Sequence, residues 1–153
     1  MAYGTTAGVA SYARTWTRGG VFYDASASPL VAPTKPTLTE VTNWLDEISA
    51  AFEIALQNEG FAVPVTSVLA PNSYKQLSMK VETLVSDLCA YANGQGRLYT
   101  DRALERGSMN LVNKEIQDWV KGHVTGLEND GVPRTLPMSE ATGGFSVAPN
   151  RQG

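Results

Sequence analysis

Residues 36–64 read PTLTEVTNWLDEISAAFEIALQNEGFAVP, and this stretch decides the fold. Thr37 followed three residues later by Glu40 is a capping box, in which hydroxyl and carboxylate each take one orphan helix N–H. Pro36, just ahead, discourages a helix from running in from the N-terminal side. Past the cap, Val41, Trp44, Leu45, Ile48, Phe52, Ala55 and Leu56 recur at steps of three and four, which places them on one helical face. Gly60 tolerates the left-handed conformation that ends many helices, and Pro64 bars an early restart. The pattern predicts a helix of about six turns.

The opposite face of that helix is acidic. Between positions 37 and 60 stand Glu40, Asp46, Glu47, Glu53 and Glu59, with no Lys or Arg, in a chain of net charge −3. All but Glu59 lie away from the apolar stripe. Charged residues opposite a core stripe are ordinary solvated surface. The sharper reading of Glu40, Asp46, Glu47 and Glu53 is a face that meets a basic partner or keeps a polyanion from sticking.

The totals narrow the class. A chain of 153 residues, 42% hydrophobic and 18% charged, fits one soluble domain with a modest core. A pI near 5.1 argues against a protein that grips nucleic acid through its phosphates. No run approaches the roughly 18 apolar residues of a membrane span, and the first residues lack the basic start and apolar core of a signal peptide. The single cysteine, Cys89, excludes an internal disulfide framework and suits a reducing cytosol.

Residues 1–36 are rich in Ala, Gly, Ser and Thr and end in Pro29, Pro33 and Pro36. They read as an extended arm rather than a helix, with Gly19-Gly20 as the turn of a short hairpin. Disordered tails are poor in aromatics, so Trp16, Phe22 and Tyr23 are expected to anchor the arm on this subunit or on a neighbour. The arm carries Arg14, Arg18 and Lys35 against Asp24, opposite in sign to the helix that follows.

A second stripe, Leu77, Val81, Leu84, Val85, Leu88 and Ala92, is expected to follow a cap at Asn72 or Ser73 and to end at Gly94 and Gly96. Cys89 beside it reads as a small buried apolar side chain. The Gly-x-Gly of YANGQGRLY follows a helix and lacks the surroundings of a phosphate loop. Thr100 is the expected cap of a short helix in TDRALERG. A third stripe runs through Met109, Val112, Ile116, Trp119, Val120 and Leu127. His123, the only histidine, has no second His or Cys pair at ligand spacing and reads as structural, near a helix C-terminus. From residue 129 onward the chain holds three prolines and four glycines, with Val132, Leu136, Met138, Phe145 and Val147 as spaced apolar anchors. This composition builds no core alone and reads as a second extended arm, free or ordered on a neighbouring chain.

The fold expected is mainly α: a bundle of three to four helices over residues 37–128, with an N-terminal arm over 1–36 and a C-terminal arm over 129–153. Trp44, Leu45, Ile48, Phe52, Leu84, Leu88, Ile116 and Trp119 are the expected core.

The order of these features resembles the head-to-tail adaptor, or connector, proteins of long-tailed bacteriophages. The similarity rests on the capped helix with its LDEIS core, on the exit IALQNEGFAVPV (Leu56, Gly60, Phe61, Pro64), and on the A-x-G-x-G-R link from Ala92 to Arg97. ARTWTRGGVFYD is similar to the start of a subset of the family. The resemblance spans roughly residues 8–128 and contains no catalytic motif. It implies a structural subunit of the virion neck, assembled from the host cytoplasm as a homo-oligomeric ring of about twelve copies beneath the portal protein. Such a ring extends the channel through which double-stranded DNA passes without specific binding, and seats a downstream stopper or tail protein. No cofactor, metal, membrane or catalytic activity is implied. Other readings are a stopper or tail-terminator ring protein, a small helical nucleic-acid-binding packaging or regulatory subunit, and an enzyme. A β-rich pattern, a basic patch and converging reactive groups would mark these in turn, and the sequence offers none of them.

Overall fold

The computed structural model describes residues 2–27, 30–101 and 108–135. The architecture is mainly α, a small helical bundle. Its three long members are α2 (Leu38–Asn58), α3 (Pro71–Ala92) and α5 (Ser108–Gly122). Three short helices complete it among the described residues: α1 (Thr6–Tyr12), α4 (Gly96–Asp101) and α6 (Val124–Asn129).

Helix α2 forms for the reasons its sequence gives. The Thr37 hydroxyl accepts from the Glu40 N–H, and the Glu40 carboxylate accepts from the Thr37 N–H at 2.9 Å. At the other end Gly60 has φ of 88°. The Gly60 N–H donates to the Gln57 carbonyl at 2.9 Å and the Phe61 N–H to the Leu56 carbonyl at 3.0 Å, a Schellman ending. Leu56 and Phe61, which accompany that ending, are both fully buried. Between the caps Val41, Leu45, Ile48, Phe52 and Leu56 enter the core, where α3 contributes Leu77, Val81, Leu84, Val85 and Leu88, and α5 Val112, Ile116 and Val120.

The N-terminal segment departs from the extended arm expected of it. It opens with α1, whose N-cap Thr5 accepts from the Gly8 N–H at 3.0 Å. TAGVASY has little helical bias of its own, so the helix is held by packing. Val9 and Ala10 are buried, and the Glu82 carboxylate of α3 accepts the Thr5 N–H at 2.9 Å. A Cβ at Gly8 would meet the Glu82 carboxylate, so the glycine leaves that carboxylate room to reach Thr5. The Gly19-Gly20 turn does form, with both φ angles positive and Arg18 bridged to Val21. After it, β1 (Ser26–Ala27) pairs antiparallel with β2 (Leu30–Val31).

The arm anchors resolve in favour of this subunit. Phe22 is 2% exposed in the main core, and Trp16 packs against it half-buried. Tyr23 is half-buried with the Arg18 guanidinium 4.9 Å from its ring centre. Residues 2–22 therefore share one core with residues 37–101 and 108–132 rather than forming arm and domain.

Three further expectations are corrected. Trp44 and Trp119 are only partly buried, at the edge of their stripes, unlike Leu45, Ile48, Phe52, Leu84, Leu88 and Ile116. Helix α3 begins with Pro71 at its first position and has no side-chain cap from Asn72 or Ser73. Helix α4 starts at Gly96, ahead of Thr100.

The cap that α3 lacks locally comes from the far end of the chain. Asp130 accepts the Ser73 N–H at 2.7 Å and the Asn72 side-chain amide at 3.2 Å. These bonds, the Ser73 N–H foremost, hold its carboxyl below the usual carboxylate range. The described C-terminal residues then run extended beside the exit of α2. The Ala62 N–H donates to the Pro133 carbonyl at 2.7 Å and the Thr135 N–H to the Gly60 carbonyl at 2.9 Å. Val132 is buried as expected, whereas Leu136, Met138, Phe145 and Val147 lie outside the described residues.

Leu45→Ala lowers the unfolding free energy by about 2–5 kcal/mol in urea denaturation, because it opens a cavity between α2 and its neighbours. Asp130→Ala lowers the melting temperature at neutral pH. Its carboxyl is depressed in the folded chain, so its contribution is present above the unfolded pKa and lost as pH falls through the folded one. The gap between wild type and Asp130→Ala therefore closes on acidification, which thermal melts across pH 2–7 would read.

Candidate interaction surface

The acidic face of α2 divides into structural and free carboxylates. Glu40 is committed to the capping box. Glu53 accepts the Tyr3 phenol O–H at 2.9 Å. Only Asp46 and Glu47 stand exposed with no hydrogen bond or ion pair among the described residues. Glu59 follows the helix, and its backbone carbonyl accepts from the Arg134 guanidinium.

The Tyr3–Glu53 contact belongs to a buried network. The Tyr3 N–H donates to Ser49 Oγ at 2.8 Å, and its phenol oxygen accepts from the Val65 N–H at 2.9 Å. Ser49 is a buried polar side chain on α2, and Tyr3 supplies its partner. Burial, with Glu53 beside it, pushes the Tyr3 phenol far above its ordinary pKa, whereas the Val65 N–H draws it the other way. Nothing around residue 3 in the sequence signals this role, because its partners lie 46 to 62 positions away.

A second polar cluster lies where the A-x-G-x-G-R link ends. Gly94 and Gly96 take φ of 72° and 83°, turning the chain from α3 into α4. Arg97 then donates to Asp87 Oδ2 at 2.7 and 3.1 Å and to Glu115, while Lys80 donates to Glu115 at 3.3 Å. One guanidinium thus ties α4 to both α3 and α5. Burial raises the Glu115 carboxyl, but Arg97 and Lys80 outweigh it and hold the group below its ordinary value. For Arg97, burial acts downward and the two carboxylates more than offset it.

The reactive residue types are placed apart. Cys89 is fully buried in α3, and burial pushes its thiol up to about 12. His123 stacks on Trp119 with ring centres 3.9 Å apart, and its Nδ1 lies 2.6 Å from the Trp119 carbonyl oxygen. The pair borders a shallow recess of about 300 Å³ with Asn72, Gln76 and Asp130 on its rim. Among the described residues no group of three His, Cys, Asp or Glu side chains could hold a metal ion. None of their helices is long and apolar enough to cross a membrane.

Large apolar side chains also reach solvent. In the loop between α2 and α3, Val68 is 88% and Leu69 58% exposed, and on α2 Ile54 is 60% exposed. Val21 and Leu38 line a small recess with Ala7. The surface therefore offers an acidic strip at Asp46 and Glu47, an apolar loop tip and an apolar seam along α2. No protein-family model matches the chain, and neither a curated protein nor a solved structure matches it.

Arg97→Met breaks the tie between α3, α4 and α5. Glu115 then loses the partner that depresses its pKa, so acid unfolding of this variant, followed by circular dichroism, has its midpoint at a higher pH than wild type. Tyr3→Phe leaves the Val65 N–H unsatisfied in the interior and lowers stability by about 1–3 kcal/mol.

Proposed function

We propose that this chain is a structural, non-enzymatic neck protein of a long-tailed bacteriophage, a head-to-tail adaptor of the virion. In this reading about twelve copies assemble from the host cytoplasm as a ring on the portal protein. The ring extends the DNA channel and seats a stopper or tail protein.

The observation that carries the proposal is the order of local features along residues 8–128. A capped, acidic-faced helix leaves through Gly60-Phe61. A second amphipathic helix follows, then a double-glycine turn into an arginine that links three helices, then a third helix. The resemblance set out from the sequence lies in that same order. The apolar loop tip at Val68 and Leu69 suits a subunit that buries surface against neighbours.

The acidic strip has a physical role in such a ring. DNA-binding proteins gain affinity by releasing counterions from phosphates through Lys and Arg, and a wall of carboxylates does the reverse. With Asp46 and Glu47 facing the channel, the duplex passes without being held. Glu40 and Glu53 add to the same negative face while their carboxylates also hold bonds within the subunit.

Native mass spectrometry of the protein mixed with a phage portal ring tests the reading. About twelve copies joining the portal is the expected outcome. A protein that ignores the portal and instead shifts with added DNA would sink the proposal. The double reversal Asp46→Lys, Glu47→Lys should leave the fold intact and slow DNA ejection from assembled particles.

A further inference from the structure

The recess beside the Trp119–His123 stack is rich in hydrogen-bond acceptors. About 300 Å³ in volume, it lies between the first turns of α3 and the stretch from α5 into α6. Asn72 and Gln76 of α3, four residues apart and so on one helical face, bring carboxamides to it. Trp119 and His123 form an aromatic wall, with ring centres 3.9 Å apart and planes 15° from parallel. Asp130 supplies a carboxylate. Among the described residues that line the recess, none is Lys or Arg.

Bonds already made decide what is left for a ligand. The Asn72 amide nitrogen donates to Asp130 at 3.2 Å, which leaves its carbonyl oxygen available. The Trp119 carbonyl can only accept, so His123 Nδ1, 2.6 Å away, carries the proton in that bond. In the neutral ring Nε2 is then an acceptor. The N-terminus of α3 would by itself attract an anion, but Asp130 already takes the Ser73 N–H there at 2.7 Å. The same bond favours the charged form of its carboxyl. A carboxylate, acceptor atoms and a flat aromatic wall together fit a planar, donor-rich cation, which among side chains is the arginine guanidinium. A lysine ammonium has the charge but not the plane.

The chain presents such a group on another part of its surface. Arg97 and Arg134 are committed to carboxylates, and Arg18 to the Ala32 carbonyl and the Tyr23 ring. Arg14 is exposed, and among the described residues nothing accepts a hydrogen bond from its side chain. Its guanidinium lies by the Gly19-Gly20 turn, where a Cβ at Gly20 would come within 3.3 Å of Nη1. Arg14 lines no part of the recess in its own subunit, which leaves a second molecule to bring it there.

We infer that the recess of one copy receives the Arg14 side chain of a second copy, its guanidinium on the Trp119–His123 wall and paired to Asp130. The contact joins two different patches, so it is heterologous, and a pair keeps one recess and one Arg14 open. Asp46 and Glu47 are the competing carboxylates, but an exposed strip offers charge screened by solvent, with no wall to stack on. The contact concerns how copies meet one another and stands apart from the portal reading, whose own test it leaves unaltered.

Sedimentation velocity and amide NMR on the full chain provide the test. Wild type is expected to self-associate as concentration rises, and Arg14→Ala and Gln76→Lys each to remain monomeric. Gln76 is exposed on α3, so its substitution places a cation at the recess without removing a buried contact. An equimolar mixture of the two variants should regain a dimer, because one keeps its recess and the other its arginine. Nα-acetyl-arginine amide should move the Trp119 and His123 signals of Arg14→Ala saturably, and the lysine counterpart should not. Association that survives either variant, or that only Asp46→Lys, Glu47→Lys removes, would overturn the inference. So would two variants that fail to pair when mixed. A wild-type chain that stays monomeric would overturn it too, and arginine amide binding in that case would assign the recess to an arginine of another protein.

Discussion

Helix α2 carries an apolar stripe that no single neighbour could cover, and the rest of the chain is arranged to cover it. Val41, Leu45, Ile48, Phe52 and Leu56 share a core with side chains from α1, α3 and α5. Burying a side chain of this size is worth about 1.5–3 kcal/mol, so the stripe dominates whatever helical propensity adds. The Phe52 ring meets Trp119 of α5 edge-on at 5.6 Å, which keeps that indole at the seam although part of it stays in solvent. Of the acidic residues on α2, Asp46 and Glu47 are the ones left exposed without a partner among the described residues.

The helix ends are tied together by carboxylates from distant parts of the chain. Asp24 accepts the Thr39 N–H at 2.9 Å and its hydroxyl at 2.8 Å in the first turn of α2. Glu82 does the same for α1, and Asp130 for α3. Acidic groups at helix N-termini also meet the positive end of the dipole. These bonds set where one helix begins relative to another, which apolar packing alone leaves loosely specified. Several of the described carboxylates therefore position helices while keeping their charge at the exposed surface.

Legibility in the sequence followed the range of the interaction. The start and end of α2 could be read because Thr37, Glu40 and Gly60 act on residues within five positions. The stripes of α3 and α5 could be read for the same reason, and the buried Cys89 with them. Helix α1 could not, since its composition argues against it and its support comes from Glu82, 77 positions away from Thr5. The cap on α3 was sought at Asn72 or Ser73 and is supplied by Asp130, 57 positions from Ser73. At the candidate surface, Asp46 and Glu47 are legible from helical phase. Glu53 is not, because the group that claims it, Tyr3, sits in a segment whose fold the sequence hid. Trp44 and Trp119 show the limit of periodicity: a stripe assigns a direction, and an indole at its edge is too large to follow it fully inward.

The placement of α1 has a consequence for how the molecule is made. A seven-residue helix is too short to persist alone in water. The bonds of the segment that carries it reach Ser49, Glu53, Val65 and finally Glu82. During vectorial synthesis α1 therefore waits, unformed, until the chain through Glu82 has followed it. Tyr3 likewise finds its partners only once Ser49, Glu53 and Val65 have emerged.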